Sequence, residues 1–194
     1  MLRFFDVVFS LLGLTFGSPV LLVIYLVGLF DTGSPLFRQE RVGRNQKPFI
    51  LVKFRTMRVG TASVASHLAD VQAITPMGQF LRRTKLDELP QLWNVLWGDM
   101  SLVGPRPEVP KYVAHYPESV KDIVLSVRPG ITDWASIRMI DENEILGKAA
   151  DPERAYIEQV LPEKLGYYVR YAQSHSLAGD VQIIVATLLK IVTR

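Results

Sequence analysis

The sequence predicts a predominantly helical α+β protein with an N-terminal kinked membrane helix, a short β-hairpin and amphipathic interfacial helices. Three observations carry that prediction. Val7 to Phe30 contain no charge, residues 36–57 alternate basic and apolar side chains around a turn with glycine and asparagine, and apolar residues recur at near-helical spacing from Met77 onward. With 194 residues, 48% of them hydrophobic, the chain suits one modest globular body beside a membrane element. The expected boundaries are an anchor over 1–33 and a single body over 34–194.

The uncharged run would be roughly 36 Å long as a straight helix, enough to cross the hydrocarbon core of a bilayer. It is too long for a secretory signal and lacks a small-residue exit site. Ser18-Pro19 falls in its middle, where proline removes a helical hydrogen bond and a kink is expected. Positive charge flanks both ends, with Arg3 before the run and Arg38 to Lys47 after it. Charge and proline alone favour a straight span, because kinked spans are common, and a bent helix entering and leaving on one face stays open beside it. In either case the heavier basic flank keeps the body cytoplasmic.

After the anchor, "DTGSP" is a turn cluster, and "LFRQERVGRNQKPFILVKFRTM" reads as two short strands. Residues 59–75 lack periodicity and read as a loop in which His67 is solvated. "MGQFLRRT" forms a short amphipathic turn. Leu86, Leu89, Trp93 and Leu96 then predict a helix starting near Asp87 with Pro90 in its first turn, which would set Asp87 and Glu88 at a positive helix end. In "GPRPE", Pro105 and Pro107 fix the backbone on both sides of Arg106. Further on, the pattern predicts a helical stretch near 108–126, a turn at "RPGIT", an extended piece at "DWASIRM" and charged helices over 141–173. The final "AGDVQIIVATLLKIVTR" suits a helix on the membrane surface or one packed on the core.

Composition narrows the chemistry. The chain has no cysteine, which removes disulfides, thiolate catalysis and zinc–thiolate sites. Its 22 Lys and Arg against 19 Asp and Glu give a net charge of only +3, yet seven bases cluster between Leu36 and Gly60 against Glu40 alone. That field suits phosphates or anionic headgroups. Nucleic acid is disfavoured because the stretch lacks a stacking platform. There is no Walker A loop, G-x-G-x-x-G, H-E-x-x-H or G-x-S-x-G, and His67, His115 and His175 form no spaced ligand set. What remains is a carboxylate pair, fixed arginines and an anchor, a set suited to phosphoryl transfer near a membrane. Each part also has a plainer role. The acids would cap a helix, Arg106 would pair with Glu108 or Asp99, and Trp93 and Trp97 would simply pack.

The runs "FRQERVGRNQKPFILVKFRTM", "TPMGQFLRRTKLDELPQLWNVLWGDMSLVGPRPE" and "RPGITDWASI", in this order, closely resemble the bacterial sugar transferase family of monotopic phosphoglycosyl transferases. The resemblance extends from about Leu2 to the C-terminus. It implies transfer of a phosphosugar from a UDP-sugar to polyprenol (undecaprenyl) phosphate at the cytoplasmic face of the bacterial inner membrane, starting a glycoconjugate. It also implies Asp87 as nucleophile, Glu88 as its partner, and both acids near a required Mg²⁺. Lys53, Arg55, Arg82 and Arg106 would contact phosphates, with Arg128 on the nucleotide side. Ser18-Pro19 matches the family's break in a re-entrant membrane helix, which shifts the expected topology from span to hairpin. Membrane lipids are implied partners, and a homo-oligomer is compatible.

Two departures bear on donor specificity: Asp133 stands where many members have the glycine of "RPGITG", and "RVGRNQKPF" lacks a second glycine. In the resemblance the chain matches the minimal form, without the extra spans and domain of larger relatives. A membrane-bound scaffold or anionic-lipid-binding protein without turnover is the alternative that the sequence leaves open.

Overall fold

A computed structural model describes residues 2–61, 71–139, 146–147 and 149–193. His67, most of the 59–75 tract and residues 141–145 lie outside the described residues. Helix α1, Leu2–Thr32, runs through Pro19 as one helix. The carbonyl of Thr15, which a residue at position 19 would normally reach with its N–H, accepts the Ser18 hydroxyl instead at 2.8 Å. The proline thus leaves no bare carbonyl there, which is how apolar helices tolerate it. Most of α1 is uncovered, with Phe16 79% and Phe30 92% exposed.

Strands β1 (Leu36–Val42) and β2 (Pro48–Phe54) form the expected antiparallel hairpin, with Phe37 opposite Lys53 and Val42 opposite Pro48. Phe49 and Leu51 of β2 turn inward onto Val95 and Met100, and Lys53 follows on the same alternation. Helix α2 (Pro76–Thr84) is capped by Thr75, whose hydroxyl accepts the Gly78 N–H at 2.9 Å. Gly78 permits close approach: a Cβ there would collide with the carbonyl of Thr56.

The acidic pair does not open an α-helix, in contrast to the periodicity. Lys85 adopts a left-handed conformation, φ 60°, which ends α2 and turns the chain into a single 3₁₀ turn at Leu86–Glu88. Helix α3 begins only at Gln91, runs to Trp97 and has Pro90 at its N-cap. The 3₁₀ turn, rather than a helix dipole, therefore sets the direction of the two acids.

Two short strands escaped the sequence pattern. Strand β3 (Ser101–Val103) pairs in parallel with β4 (Gly130–Thr132), Ser101 opposite Gly130 and Val103 opposite Thr132. Gly104 and Gly130 cross so closely that a Cβ on either would strike backbone. The expected helix near 108–126 is two helices, α4 (Pro110–Val113) and α5 (Glu118–Val124). "DWASIRM" is helical rather than extended: α6 spans Trp134–Arg138, and Asp133 caps it by accepting the Ser136 N–H at 2.9 Å. Then come α7 (Pro152–Ala155), a π-helical turn at Tyr156–Val160, α8 (Leu161–Ser174) and α9 (Leu177–Val192).

The largest core joins Tyr112, Tyr116, Val124, Ala135, Leu161 and Tyr168. A smaller cluster of Ile24, Phe54 and Leu81, with Leu86 against it, underlies the acidic turn and binds it to α1. Helix α9 meets both sequence alternatives in part. Ile183 and Asp180 are buried, while Val181, Val185, Leu188 and Val192 form an exposed stripe.

Candidate active site

The 3₁₀ turn sets Asp87 and Glu88 in buried positions, 5% and 8% exposed, under the influence of Lys53, Arg82, Lys85 and Arg106. Glu88 Oε1 accepts from Arg106 Nη2 at 3.2 Å and lies 3.8 Å from Lys85 Nζ. Arg106 therefore pairs with Glu88 rather than with Glu108 or Asp99. Asp87 Oδ1, by contrast, is buried and has no hydrogen-bond partner among the described residues. An unpartnered buried acceptor is costly to leave in place.

The electrostatics separate the two acids. Burial, reinforced by the Glu88 charge, pushes Asp87 up to about 6, although Lys53, Lys85 and Arg82 pull the other way. Burial alone would also raise Glu88, but Arg106, Lys85 and Lys53 outweigh it and hold this carboxyl well below the usual range. Two adjacent carboxyls thus differ in basicity, the more basic one carrying the free oxygen. Lys53 is brought down to about 8 by burial, against the pull of Asp87. Arg106 is held firmly protonated by Glu88.

Of the residues that the sequence singled out, Lys53, Arg82 and Arg106 are gathered around the pair. Arg82 donates through Nε to Thr56 Oγ1 at 2.9 Å, which leaves its terminal nitrogens for another acceptor. Arg55 and Arg128 also donate through Nε, in their case to backbone carbonyls, and among the described residues neither terminal nitrogen of Arg128 has a hydrogen-bond partner. Arg55 Nε donates to the Ser34 carbonyl at 2.8 Å, its Nη2 reaches the Leu36 carbonyl at 3.3 Å, and the guanidinium lies over the Phe37 ring. Arg128 Nε donates to the Gly98 carbonyl at 2.8 Å, fastening the end of α3. Asp133 is a buried helix cap, 3% exposed.

Several contributing residues were not anticipated. Lys85 supplies both the turn and a charge beside Glu88. Asn94 acts as a backbone surrogate for β2, accepting the Val52 N–H at 3.1 Å and donating to the Ile50 carbonyl at 2.7 Å, so it fixes the strand that carries Lys53. A polar side chain on the apolar stripe of "LWNVLW" was the signal available for it.

Mg²⁺ fits this donor set. Among the described residues no group of three or more acids or histidines gathers, so a metal would depend on the carboxylate pair. One or two carboxylates completed by substrate phosphates is the usual protein contribution to a Mg²⁺ site. Asp87 Oδ1 is the free oxygen, whereas Glu88 Oε1 is already shared with Arg106.

Helix α1 is fastened to this same body near both ends. Arg3 donates to the carbonyls of Val95 and Leu96, and Asp6 accepts from the Ser101 hydroxyl at 2.9 Å and the Leu102 N–H at 3.0 Å. Near its other end, Asp31 Oδ2 accepts the Thr75 hydroxyl at 2.7 Å. Among the described residues, α1 is the one helix long and apolar enough to cross a membrane.

Known proteins share this sequence across its length. The chain is 36% identical over 190 residues to UDP-glucose:undecaprenyl-phosphate glucose-1-phosphate transferase of Escherichia coli, covering 95% of this chain and 39% of that protein. It is 32% identical over 196 residues to UDP-N-acetylgalactosamine-undecaprenyl-phosphate N-acetylgalactosaminephosphotransferase of Aeromonas hydrophila, covering 98% and 43%. It is 37% identical over 147 residues to UDP-galactose-lipid carrier transferase of Erwinia amylovora, covering 67% and 31%. The chain thus spans less than half of each of these relatives. The family model described as bacterial sugar transferase matches residues 1–194, and the chain belongs to that family.

Proposed function

We propose that this protein moves a sugar 1-phosphate from a UDP-sugar to undecaprenyl phosphate through a phosphosugar ester on Asp87, releasing UMP. The observation that carries the reading is the buried, unpartnered Asp87 oxygen beside a Glu88 carboxylate already held by Arg106. The names of the relatives support the substrate pair. They differ in the sugar, being glucose, N-acetylgalactosamine and galactose, so the sugar itself is not carried over.

In the first step an Asp87 oxygen attacks the phosphorus that bears the sugar. The bond to the bridging oxygen breaks, and that oxygen leaves on UMP with the electron pair. In the second, a phosphate oxygen of undecaprenyl phosphate attacks the same phosphorus, and the acyl phosphate bond breaks to restore the Asp87 carboxylate. Neither displacement requires a proton from the protein. Raised basicity makes Asp87 the better nucleophile of the pair, while Arg106, Arg82 and Lys53 offset the phosphate charge. Mg²⁺, held by Asp87 and Glu88 with the diphosphate, would reduce the repulsion between an anionic nucleophile and an anionic substrate. Arg55 fastens the hairpin base and Arg128 the end of α3, each through Nε.

In this reading α1 enters and leaves the cytoplasmic face of the inner membrane. The polar fastenings of Arg3, Asp6 and Asp31 to one body support it, because a straight span would carry the two ends to opposite faces. Lipid then covers the exposed apolar face of α1, and the site lies where a soluble nucleotide and a membrane-borne acceptor can both reach it.

Intact-protein mass spectrometry tests the covalent step. Purified protein with Mg²⁺ and a panel of UDP-sugars, without undecaprenyl phosphate, should gain the mass of one phosphosugar, and Asp87→Asn should gain nothing. If UMP appears only after undecaprenyl phosphate is added and no adduct ever forms, direct transfer replaces the two-step route. No adduct and no UMP with any donor would favour a scaffold.

A further inference from the structure

The turn that carries Arg106 is held by backbone contacts on both sides. The Pro105 carbonyl accepts the Gly130 N–H at 2.9 Å, the Pro107 carbonyl accepts Arg41 Nη1 at 2.9 Å, and the Glu108 carbonyl accepts the Val42 N–H at 3.0 Å. The Glu108 side chain adds another tie, since its Oε1 accepts the Tyr156 hydroxyl at 2.7 Å and its Oε2 lies 3.9 Å from Arg41 Nη1. All three side chains are interior, with Arg41 6%, Glu108 5% and Tyr156 0% exposed. Tyr156 stands at the start of the π-helical turn, an insertion that helices tend to keep where function requires it.

We propose that Arg41, Glu108 and Tyr156 are positioning residues that preset Arg106 against Glu88 and toward the incoming diphosphate. The proposal rests on the phosphosugar transfer described above and adds residues to it.

Stability is a poor reason for this arrangement. Buried ion pairs are often no more stable than an apolar replacement of similar volume. Arg41 is not fully satisfied, because its Nε is buried without an acceptor among the described residues. What the set does supply is geometry. Arg106 has a proline on each side, so its backbone is already narrow in choice, and the clamp fixes the remaining freedom from β1 and from the π-helical turn. Charge works in the same direction. Arg41 and Arg106 repel one another, and Glu108 offsets Arg41 from within the same turn. Catalytic groups gain most when held in place before the substrate arrives, because small misplacement costs large factors in rate.

The test is a set of double-mutant cycles on the full chain in lipid nanodiscs. Glu108→Gln and Tyr156→Phe should each lower the transfer rate at saturating UDP-sugar by about 10-fold or more, measured at a temperature well below the lowered unfolding midpoint of each variant. In an Arg106→Ala background the same substitutions should add less than about 3-fold, because the group they position is gone. Equal factors in both backgrounds, or no loss in either, would overturn the proposal. Hydrogen exchange without substrate provides a reading that does not depend on turnover: Glu108→Gln should speed exchange at the Val42 and Gly130 amides and leave α8 protected. Unchanged exchange at those amides would also overturn it. A wild type that transfers nothing from any donor would remove the transfer reading alone, and exchange would still decide whether the turn is clamped.

Discussion

Arg106 and Arg128 look alike in sequence and differ in the folded protein. Each precedes a proline, and they flank the same parallel ladder, Arg106 after β3 and Arg128 before β4. Arg106 faces a carboxylate, Glu88 at 3.2 Å, and keeps 30% of its side chain exposed. Arg128 faces a backbone carbonyl, that of Gly98 at 2.8 Å. A guanidinium against a carboxylate sets the charge state of a reacting site, whereas one against a carbonyl joins two chain segments. The two arginines therefore share a sequence setting but meet different acceptors through these nitrogens. Arg82 and Arg55 likewise meet different acceptors, Thr56 Oγ1 for the first and the carbonyls of Ser34 and Leu36 for the second.

The sharpest way to break this comparison is to exchange the losses. Arg106→Ala should reduce phosphosugar transfer by about 100-fold or more, in the range seen when one preorganised charge donor is removed. Arg106→Lys should recover part of it, since a point charge remains without the planar fork. Arg128→Ala should leave transfer within several-fold and instead cost about 1–2 kcal/mol of stability, read by denaturant unfolding in detergent. Equal losses of transfer from Arg106→Ala and Arg128→Ala would erase the distinction. Gly78→Ala should also act through stability, by about 1–3 kcal/mol, because its new methyl group would meet the Thr56 carbonyl. As Thr56 also accepts from Arg82, some loss of transfer is expected there as well.

The comparison also marks how far the sequence could be read. The long apolar helix, the hairpin and the adjacency of Asp87 and Glu88 were legible because long uncharged runs, strand alternation and paired acids are local patterns. Their surroundings were not. Strands β3 and β4 have three residues each, too short to display alternation. "DWASIRM" alternates like a strand, but the Asp133 cap decides for a helix of only five residues. The acids were expected on a helix because Leu86, Leu89 and Trp93 fit that period, while the left-handed Lys85 and the cap position of Pro90 break the segment in two. Arg128 and Gly98 are 30 positions apart and Tyr156 and Glu108 are 48 apart, so no local window contains either contact.

Asp133 provides the finest discrimination between the two arginines, because its charge acts on Arg106. Burial raises the Asp133 carboxyl above its ordinary value, although the Ser136 N–H and hydroxyl, Arg106 and Lys164 all favour its ionised form. A carboxyl raised in the folded state binds protons more tightly there than in the unfolded chain. Its contribution to stability is complete below the unfolded value of about 4 and is lost as pH rises through the folded value. Asn is as good a helix cap as Asp, so Asp133→Asn should preserve α6 and flatten the decline of the unfolding midpoint above about pH 4. The effect on transfer should be small, within a few-fold, and carried by substitutions at Arg106 rather than at Arg128. A variant whose midpoint falls with pH as steeply as wild type would show that burial of Asp133 carries no proton linkage, and an equal response in the Arg106→Ala and Arg128→Ala backgrounds would show that its charge does not distinguish the two turns.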